Sequence, residues 1–199
     1  MKVALGLKAH SGWAALVALG HGGNRLQVLG RRRIELVENG GEWARQPYHA
    51  AEGLSRAEAE HVVRRSLQAA RRCAVREISA EVNRLQETKH EVCACAVLVG
   101  DGMPDWSVEE ILAVHFRMHK AEGVLFRDAL MEAARECQLT LVAIPEKRLP
   151  EHAEQSLATP ESRLLSEIAA LGKSVGPPWG RDEKDAALAA RIALEGSLK

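Results

Sequence analysis

The sequence contains few aromatic residues, only 4% of its 199 positions, and it carries no net charge. Its 27 basic and 27 acidic side chains cancel, so the overall charge gives no sign of a nucleic-acid or membrane partner. Hydrophobic residues make up 46% of the chain. Because few of them are aromatic and Ala, Leu and Val are abundant, we expect an aliphatic core. A chain of this length buries enough surface to fold without covalent cross-links. We therefore expect a single domain spanning residues 1–199.

Long apolar runs and paired cysteine motifs are also absent. No stretch approaches the roughly 20 apolar residues of a membrane span, and Lys8 interrupts the first apolar run, which is unlike a secretory signal peptide. The cysteines form no CxxC pair and lie among aliphatic residues, as buried, reduced thiols do. We therefore expect a cytoplasmic protein that does not associate with membranes. The four cysteines are Cys73, Cys93, Cys95 and Cys137.

The first half of the chain predicts three strands followed by a long helix. Short turns join the strands, and such turns allow only antiparallel pairing. Residues 38–54 carry Gly, Pro and polar residues, so we expect a loop there. An amphipathic helix then begins at a capping box formed by Ser55 and Glu58. The strands are predicted at residues 2–7, 13–19 and 25–37.

The second half alternates strands and helices. Residues 92–99 and 139–144 are continuous apolar runs, typical of strands buried on both faces. A second capping box, Ser107 with Glu110, opens a helical region between them, and the last helix covers residues 182–194. Parallel strands need helical crossovers. The predicted fold is therefore α/β, a mixed five-stranded sheet of three antiparallel and then two parallel strands with helices on both faces.

The third predicted strand carries three consecutive arginines. Its apolar residues fall on one parity, so we expect them to share a buried face, opposite to Arg31 and Arg33. If this strand meets the basic positions of the long helix, the arginines form a stripe for phosphates. The alternative is a solvated face offset by nearby glutamates. The apolar residues are Leu26, Val28, Ile34 and Leu36, and the candidate nucleic-acid contacts are Arg31, Arg32 and Arg33.

Two histidines, His115 and His119, lie four residues apart on a predicted helix. This spacing is compatible with zinc binding, but the glutamate of the metalloprotease motif is absent between them. We therefore expect an ordinary helix surface that carries two histidines.

Two motifs near opposite ends of the chain carry a resemblance. Residues 4–13 read ALGLKAHSGW, and residues 179–189 read WGRDEKDAALA. The first is similar to the first strand and turn of RuvC-type Holliday-junction resolvases, which belong to the RNase H-like superfamily. The second resembles the last helix of that family, where two acids three residues apart precede a run of small residues. The predicted element order is similar to the family's over nearly the whole chain.

The resemblance implies two Mg²⁺ or Mn²⁺ ions held by carboxylates, which clamp the attacking water and the leaving oxygen of a phosphodiester. Asp182 and Asp185 would supply metal ligands from one face of the last helix. Asp101 ends the fourth strand, close to where the family keeps another acid. A nuclease would need a fourth ligand from elsewhere in the chain, for which Glu146 is a candidate.

The family's first acid position falls on Lys8, which does not bind Mg²⁺. Its ammonium would repel the ions, or pair with Asp182 or Asp185 in the space that the ions need. At about 4 Å and an effective dielectric of about 20, such a pair is worth about 4 kcal/mol before desolvation. The alternative for Lys8 is a solvent-facing turn residue. Separately, the alternative to metal binding by the two acids is structural, with Asp182 as the helix N-cap and Asp185 at the N3 position.

Two functional hypotheses follow. The first is a catalytically degenerate RNase H-like protein without a metal cofactor, which acts by binding nucleic acid or a protein partner. The second is a Mg²⁺- or Mn²⁺-dependent nuclease, a RuvC-like resolvase that uses Asp101, Asp182 and Asp185. A nucleotide-binding protein of the actin-like ATPase group is disfavoured, because the glycine-threonine phosphate turn of that group is missing after the first strand. The sequence gives no expectation of oligomeric state.

Overall fold

A computed structural model of the protein describes residues 1–23, 25–38 and 42–197 and contains one five-stranded sheet. Its strands are β1 (Lys2–His10), β2 (Trp13–Gly22), β3 (Arg25–Glu35), β4 (Glu91–Val99) and β5 (Thr140–Pro145). They lie in the order β3-β2-β1-β4-β5. Strands β1, β2 and β3 pair antiparallel, whereas β4 pairs parallel with β1 and β5. The predicted mixed five-stranded sheet, with three antiparallel and then two parallel strands, is therefore confirmed.

Helices cover both faces of this sheet, as predicted. Helices α3 and α5 pack on one face, and α6, α7 and α8 pack on the other. No helix in the described ranges is long and apolar enough to cross a membrane. The helices are α1 (Glu42–Arg45), α2 (Pro47–Ala50), α3 (Arg56–Glu87), α4 (Val108–Leu112), α5 (His115–Glu136), α6 (Leu149–Leu157), α7 (Glu161–Val175) and α8 (Arg181–Gly196).

The segment predicted as a loop, residues 38–54, contains the short helices α1 and α2, so the prediction is wrong for that part; residues 39–41 lie outside the described ranges. Pro47 occupies the first position of α2, where its missing N–H costs nothing. Tyr48 and Ala51 are buried in the core. Single helical turns of this kind are held by tertiary contacts, which the polar composition of the segment does not reveal.

A bulge in β3 overturns the prediction that its apolar side chains share one face. The register between β2 and β3 slips by one residue at Leu29. A slip of one residue moves the following side chains to the other face of a strand. Leu26 and Val28 consequently pack on the side of α8, whereas Ile34 and Leu36 lie in the core beneath α3 and α5.

Helix α8 lies directly against β1 because both elements present small residues where they meet. A Cβ added at Gly6 would lie 1.9 Å from the carbonyl oxygen of Ala186 and 2.7 Å from the backbone nitrogen of Ala190. Alternate side chains of a strand share a face, so Lys8 points to the same side as Gly6. This close packing therefore brings the first turns of α8 over Lys8.

Candidate functional site

Lys8 lies near the carboxyl end of β1 and is only 5% exposed. Its Nζ is 2.6 Å from Oδ2 of Asp185, 3.2 Å from Oδ1 of Asp182 and 3.3 Å from Oε1 of Glu146. Lys8 therefore contacts three carboxylates and does not face solvent. We call these four residues, Lys8, Glu146, Asp182 and Asp185, the Lys8 cluster.

The start of α8 explains why its two aspartates turn towards Lys8. The N-cap of α8 is Gly180, and its backbone N–H donates to Oε2 of Glu183 at 2.8 Å. The interpretation of Asp182 as the N-cap is therefore wrong. Glu183 satisfies the helix end, which leaves Asp182 and Asp185 to pair with the ammonium.

Glu146 reaches the cluster from a different element. It opens a 3₁₀ turn, Glu146–Arg148, directly after β5. The carboxyl ends of parallel strands meet at one edge of a sheet, so the end of β5 lies near the site at which β1 delivers Lys8. Sequence reasoning named Glu146 only as a supplementary ligand, and its position after a buried strand was the available signal.

Each carboxylate of the Lys8 cluster has a second basic neighbour. Two of these neighbours are arginines, so three permanently charged cations (Lys8, Arg127 and Arg181) face three carboxylates. The cluster is thus electrically balanced by the protein itself. The outer contacts are Arg127 Nη2 with Glu146 Oε2 at 3.4 Å, Arg181 Nε with Asp185 Oδ2 at 3.7 Å, and His10 Nε2 with Asp182 Oδ2 at 3.0 Å.

The acids also set the protonation of Lys8. Burial by itself lowers the pKa of the ammonium, but hydrogen bonds and charges from Asp185, Asp182 and Glu146 outweigh burial and raise the pKa above its ordinary value. Lys8 is therefore a cation at neutral pH.

A stack of three side chains borders the Lys8 cluster. The rings of His10 and Trp13 are 4.3 Å apart between centroids and 12° from parallel, and the Arg33 guanidinium carbon lies 4.1 Å from the Trp13 centroid. Nε2 of His10 approaches Asp182 at an angle that makes no hydrogen bond. The stack holds the His10 ring at the rim of the site. Sequence reasoning missed His10 and Trp13, although both lie in the motif that contains Lys8.

The Lys8 cluster does not fit the pair of divalent ions that the resemblance implies. Mg²⁺ and Mn²⁺ bind through carboxylate oxygens that are free to coordinate them. Here one ammonium lies within 3.3 Å of an oxygen of all three acids. A metal ion would have to displace Lys8 and leave a buried ammonium without its partners, which is costly.

Asp101, the third predicted acid, pairs elsewhere. Its side chain is 71% exposed, and Oδ2 lies 2.5 Å from Nζ of Lys147. The hydrogen bond and charge of Lys147 lower the pKa of this carboxyl. Asp182, Asp185 and Glu146 thus lie around Lys8, whereas Asp101 forms an ion pair with Lys147.

The arginines of β3 are divided between the two faces of the sheet. Arg31 and Arg33 lie on the face of the Lys8 cluster, and Arg32 points to α3 on the other face. Arg31 donates to the backbone carbonyls of Gly176 and Pro178, which connect α7 and α8. Arg32 pairs with Glu77 at 3.0 Å and with Glu81 at 3.4 Å, and Arg33 pairs with Glu35 at 2.9 Å.

Comparisons with known proteins give structural similarity only. No protein-family model and no curated protein matches the sequence. Among solved structures, the chain is similar to Thermus thermophilus RuvC, with 13% identity and a TM-score of 0.47 over 96% of this chain and 92% of that one. For T. thermophilus RuvC in complex with a Holliday junction substrate, the identity is 12% and the TM-score 0.49 over 96% of this chain and 92% of that one. The fold assignment rests on the strand order and directions of this chain.

Proposed function

We propose that this RNase H-like protein binds nucleic acid and does not cleave it by a metal-dependent mechanism. The observation that carries the proposal is the position of the Lys8 ammonium among Asp185, Asp182 and Glu146. Two-metal cleavage needs carboxylate oxygens to hold the ions that activate water and stabilise the leaving group. In this protein those oxygens are already bound to a fixed cation.

The charge balance of the Lys8 cluster supports a polyanionic ligand. Three bare carboxylates would repel a phosphodiester, and bound metal ions would normally remove that repulsion. Lys8, Arg127 and Arg181 compensate the same carboxylates without a metal. A phosphate group therefore meets a neutral surface here instead of an acidic one.

Arg181 and Arg33 are the cations that we expect to contact such a phosphate. Their side chains are 87% and 53% exposed, and both lie beside the Lys8 cluster. Arg33 lies 2.9 Å from Glu35, whereas Arg181 lies 3.7 Å from Asp185 and is more exposed, so Arg181 should contribute more. Arg31 is on the same face, but its bonds to backbone carbonyls suit it to holding the α7–α8 connection in place.

An electrophoretic mobility shift assay tests the proposal with branched and single-stranded DNA at two salt concentrations. We expect binding that weakens with salt, and weaker binding by Arg181→Gln and Arg33→Gln. Each lost phosphate contact should reduce the salt slope by about 1. The matched control is Arg64→Gln, an exposed arginine on α3 across the sheet, which should bind as the wild type does. The same samples incubated with Mg²⁺ or Mn²⁺ should show no cleavage.

Two outcomes would overturn parts of this proposal. Absence of binding at low salt would reject nucleic acid as the ligand and leave a protein partner as the remaining hypothesis. Metal-dependent cleavage that disappears in Asp185→Asn would instead reveal a resolvase-like nuclease with an altered carboxylate set.

A further inference from the structure

A histidine cluster lies between α2 and α5, on the opposite face of the sheet from Lys8. It consists of His49 from α2 and of His115 and His119 from the first two turns of α5. One ring nitrogen of each histidine lies within 4.8 Å of the other two. The sequence indicated only the pair on α5, because His49 is far away in the chain and falls in a segment predicted as a loop.

The pair on α5 already has the spacing of two ligands on one metal. Nε2 of His115 and Nε2 of His119 are 3.1 Å apart and share a hydrogen bond, which a metal ion bound to both nitrogens would replace. Two nitrogens bound to a tetrahedral zinc at about 2.0–2.1 Å would lie about 3.3–3.4 Å from each other. The His49 ring centroid is 5.1 Å from that of His115 and 4.6 Å from that of His119. Both α5 rings are exposed, so small rotations would bring them to the third nitrogen.

Glu122 holds His49 in the orientation that a metal ligand needs. This carboxylate is 3% exposed, and its Oε1 lies 2.8 Å from Nδ1 of His49. The same oxygen accepts the backbone N–H groups of Tyr48 and His49 at 3.2 and 3.3 Å. This oxygen already accepts two backbone N–H groups, which favours the His49 tautomer that donates from Nδ1 and carries its lone pair on Nε2. Carboxylate–histidine pairs of this kind commonly support a metal-binding imidazole.

The local charge also favours a cation. In the part of the chain that the structure describes, Glu122 forms no ion pair with a lysine or an arginine. A metal dication would compensate this buried negative charge. The amino terminus of α5 disfavours a cation through the helix dipole, and Glu122 offsets that effect.

We propose that His49, His115 and His119 bind Zn²⁺, with water as the fourth ligand and Glu122 as the positioning residue. Imidazole nitrogen suits zinc and similar transition metals, whereas Mg²⁺ prefers oxygen ligands. The exposed rings of His115 and His119 leave the fourth position open to solvent, as in zinc sites that keep a bound water. This site is independent of the Lys8 cluster and of nucleic-acid binding.

Isothermal titration of the full chain with ZnCl₂ tests the proposal. We expect one zinc ion per chain for the wild type and no saturable response to MgCl₂ at this site. Glu122→Gln should weaken zinc binding by about 10–100-fold, because it removes the support of His49 and no ligand. His119→Ala removes a ligand and should weaken binding further. The matched control is His61→Ala, an exposed histidine on α3 outside the cluster, which should bind zinc as the wild type does.

A thermal melt with and without zinc supplies the second readout. Zinc should raise the melting temperature of the wild type and leave that of His119→Ala unchanged, since a ligand stabilises only the state that binds it. His119 is exposed, so its removal should not unfold the protein, and circular dichroism checks this. Wild-type protein without one-to-one zinc binding would overturn the proposal. Unchanged zinc affinity in His119→Ala would also overturn it.

Discussion

The Lys8 cluster and the histidine cluster lie on opposite faces of one sheet and differ in the side chains that compensate their carboxylates. In the first, three carboxylates surround an ammonium that the chain itself supplies. In the second, one ring nitrogen from each of three imidazoles lies within 4.8 Å of the other two, and the buried carboxylate Glu122 has only His49 as its basic partner among the described residues. The first set of side chains is therefore compensated by a lysine, whereas the second pairs its carboxylate with a histidine.

The contrast between the two clusters shows that the type of ligand alone does not predict a metal site. Asp182 and Asp185 have the right chemistry for Mg²⁺ and come from a motif that resembles metal-binding enzymes. Their oxygens are nevertheless engaged by Lys8 at 3.2 and 2.6 Å. His115 and His119 lack any metalloprotease motif, and the fold still gives them a third imidazole and a carboxylate. Whether a set of potential ligands is free to bind a metal ion therefore depends on the charged side chains that lie among them.

The variant Gly6→Ala should destabilise the protein most, because it separates α8 from β1 and so removes the packing that brings α8 over Lys8. The new Cβ would lie 1.9 Å from the backbone oxygen of Ala186, and backbone cannot rotate away as a side chain can. We expect the free energy of unfolding in urea to fall by about 3 kcal/mol, the upper end of typical overpacking costs. Gly102→Ala is the control, since nothing lies within 4 Å of its added Cβ. Equal urea midpoints for the two variants would contradict the close packing of α8.

Lys8→Met should make the Lys8 cluster resemble the histidine cluster, as a ligand set without an internal cation. Removing one partner of a buried ion pair costs about 3–5 kcal/mol. The three acids are 25–29% exposed, so we expect a smaller loss of about 2–3 kcal/mol in urea denaturation. Mg²⁺ should then raise the melting temperature of Lys8→Met but not that of the wild type. A variant as stable as the wild type and indifferent to Mg²⁺ would argue against an energetic role for Lys8.

Alkaline pH should remove the charge of Lys8, and with it the stabilisation that this charge provides, without a mutation. The folded protein raises the pKa of Lys8 above its ordinary value of 10.5, so the unfolded chain loses this proton first. The stabilisation is therefore complete below about pH 10.5 and is lost as the pH rises through the folded pKa. The difference in free energy of unfolding between the wild type and Lys8→Met should be constant at neutral pH and should decrease in strong alkali.

Other groups also titrate in that range, which is why the difference between the two proteins is the quantity to measure. Burial raises the pKa of Tyr48, and it raises the pKa of Cys95 to about 12. Both proteins share these groups, so their contributions cancel. A difference that stays constant into strong alkali would contradict the assignment of the effect to Lys8.

Lys147→Ala should change the stability of the protein least, because the burial of an ion pair affects its contribution more than the distance between its charged atoms. Nζ of Lys147 lies 2.5 Å from Asp101, close to the 2.6 Å that separates Lys8 from Asp185. Lys147 and Asp101 are both mostly exposed, and exposed ion pairs contribute little to stability. We expect no measurable shift of the urea midpoint. A shift as large as that of Lys8→Met would contradict the contrast between the two lysines.

The parts of the fold that sequence reasoning predicted correctly depend on local patterns. The start of α3 follows from the Ser55–Glu58 capping box, where Glu58 accepts the Ser55 backbone N–H at 3.1 Å and its hydroxyl at 2.6 Å. The buried strands β4 and β5 follow from uninterrupted apolar runs. Short turns and long crossovers then determine which strands pair antiparallel and which pair parallel.

The parts that could not be predicted depend on partners far away in the chain. The slip at Leu29 depends on the register with β2, which no pattern within β3 reveals. Asp182 and Glu183 are both acids near a helix start, and no local pattern reveals that Glu183 accepts the backbone N–H of the N-cap while Asp182 pairs with Lys8. Glu146 and His49 join their clusters through tertiary packing alone.

The most direct test of the central claim is a calorimetric titration with MnCl₂, performed in the His119→Ala background so that the histidine cluster does not contribute. We expect the Lys8-containing protein to bind no Mn²⁺ at Asp182 and Asp185. We expect Lys8→Asp in the same background to gain a Mn²⁺ site. Binding of Mn²⁺ by the Lys8-containing protein, lost when Asp185→Asn is added, would show that Lys8 does not occupy the place of a metal ion.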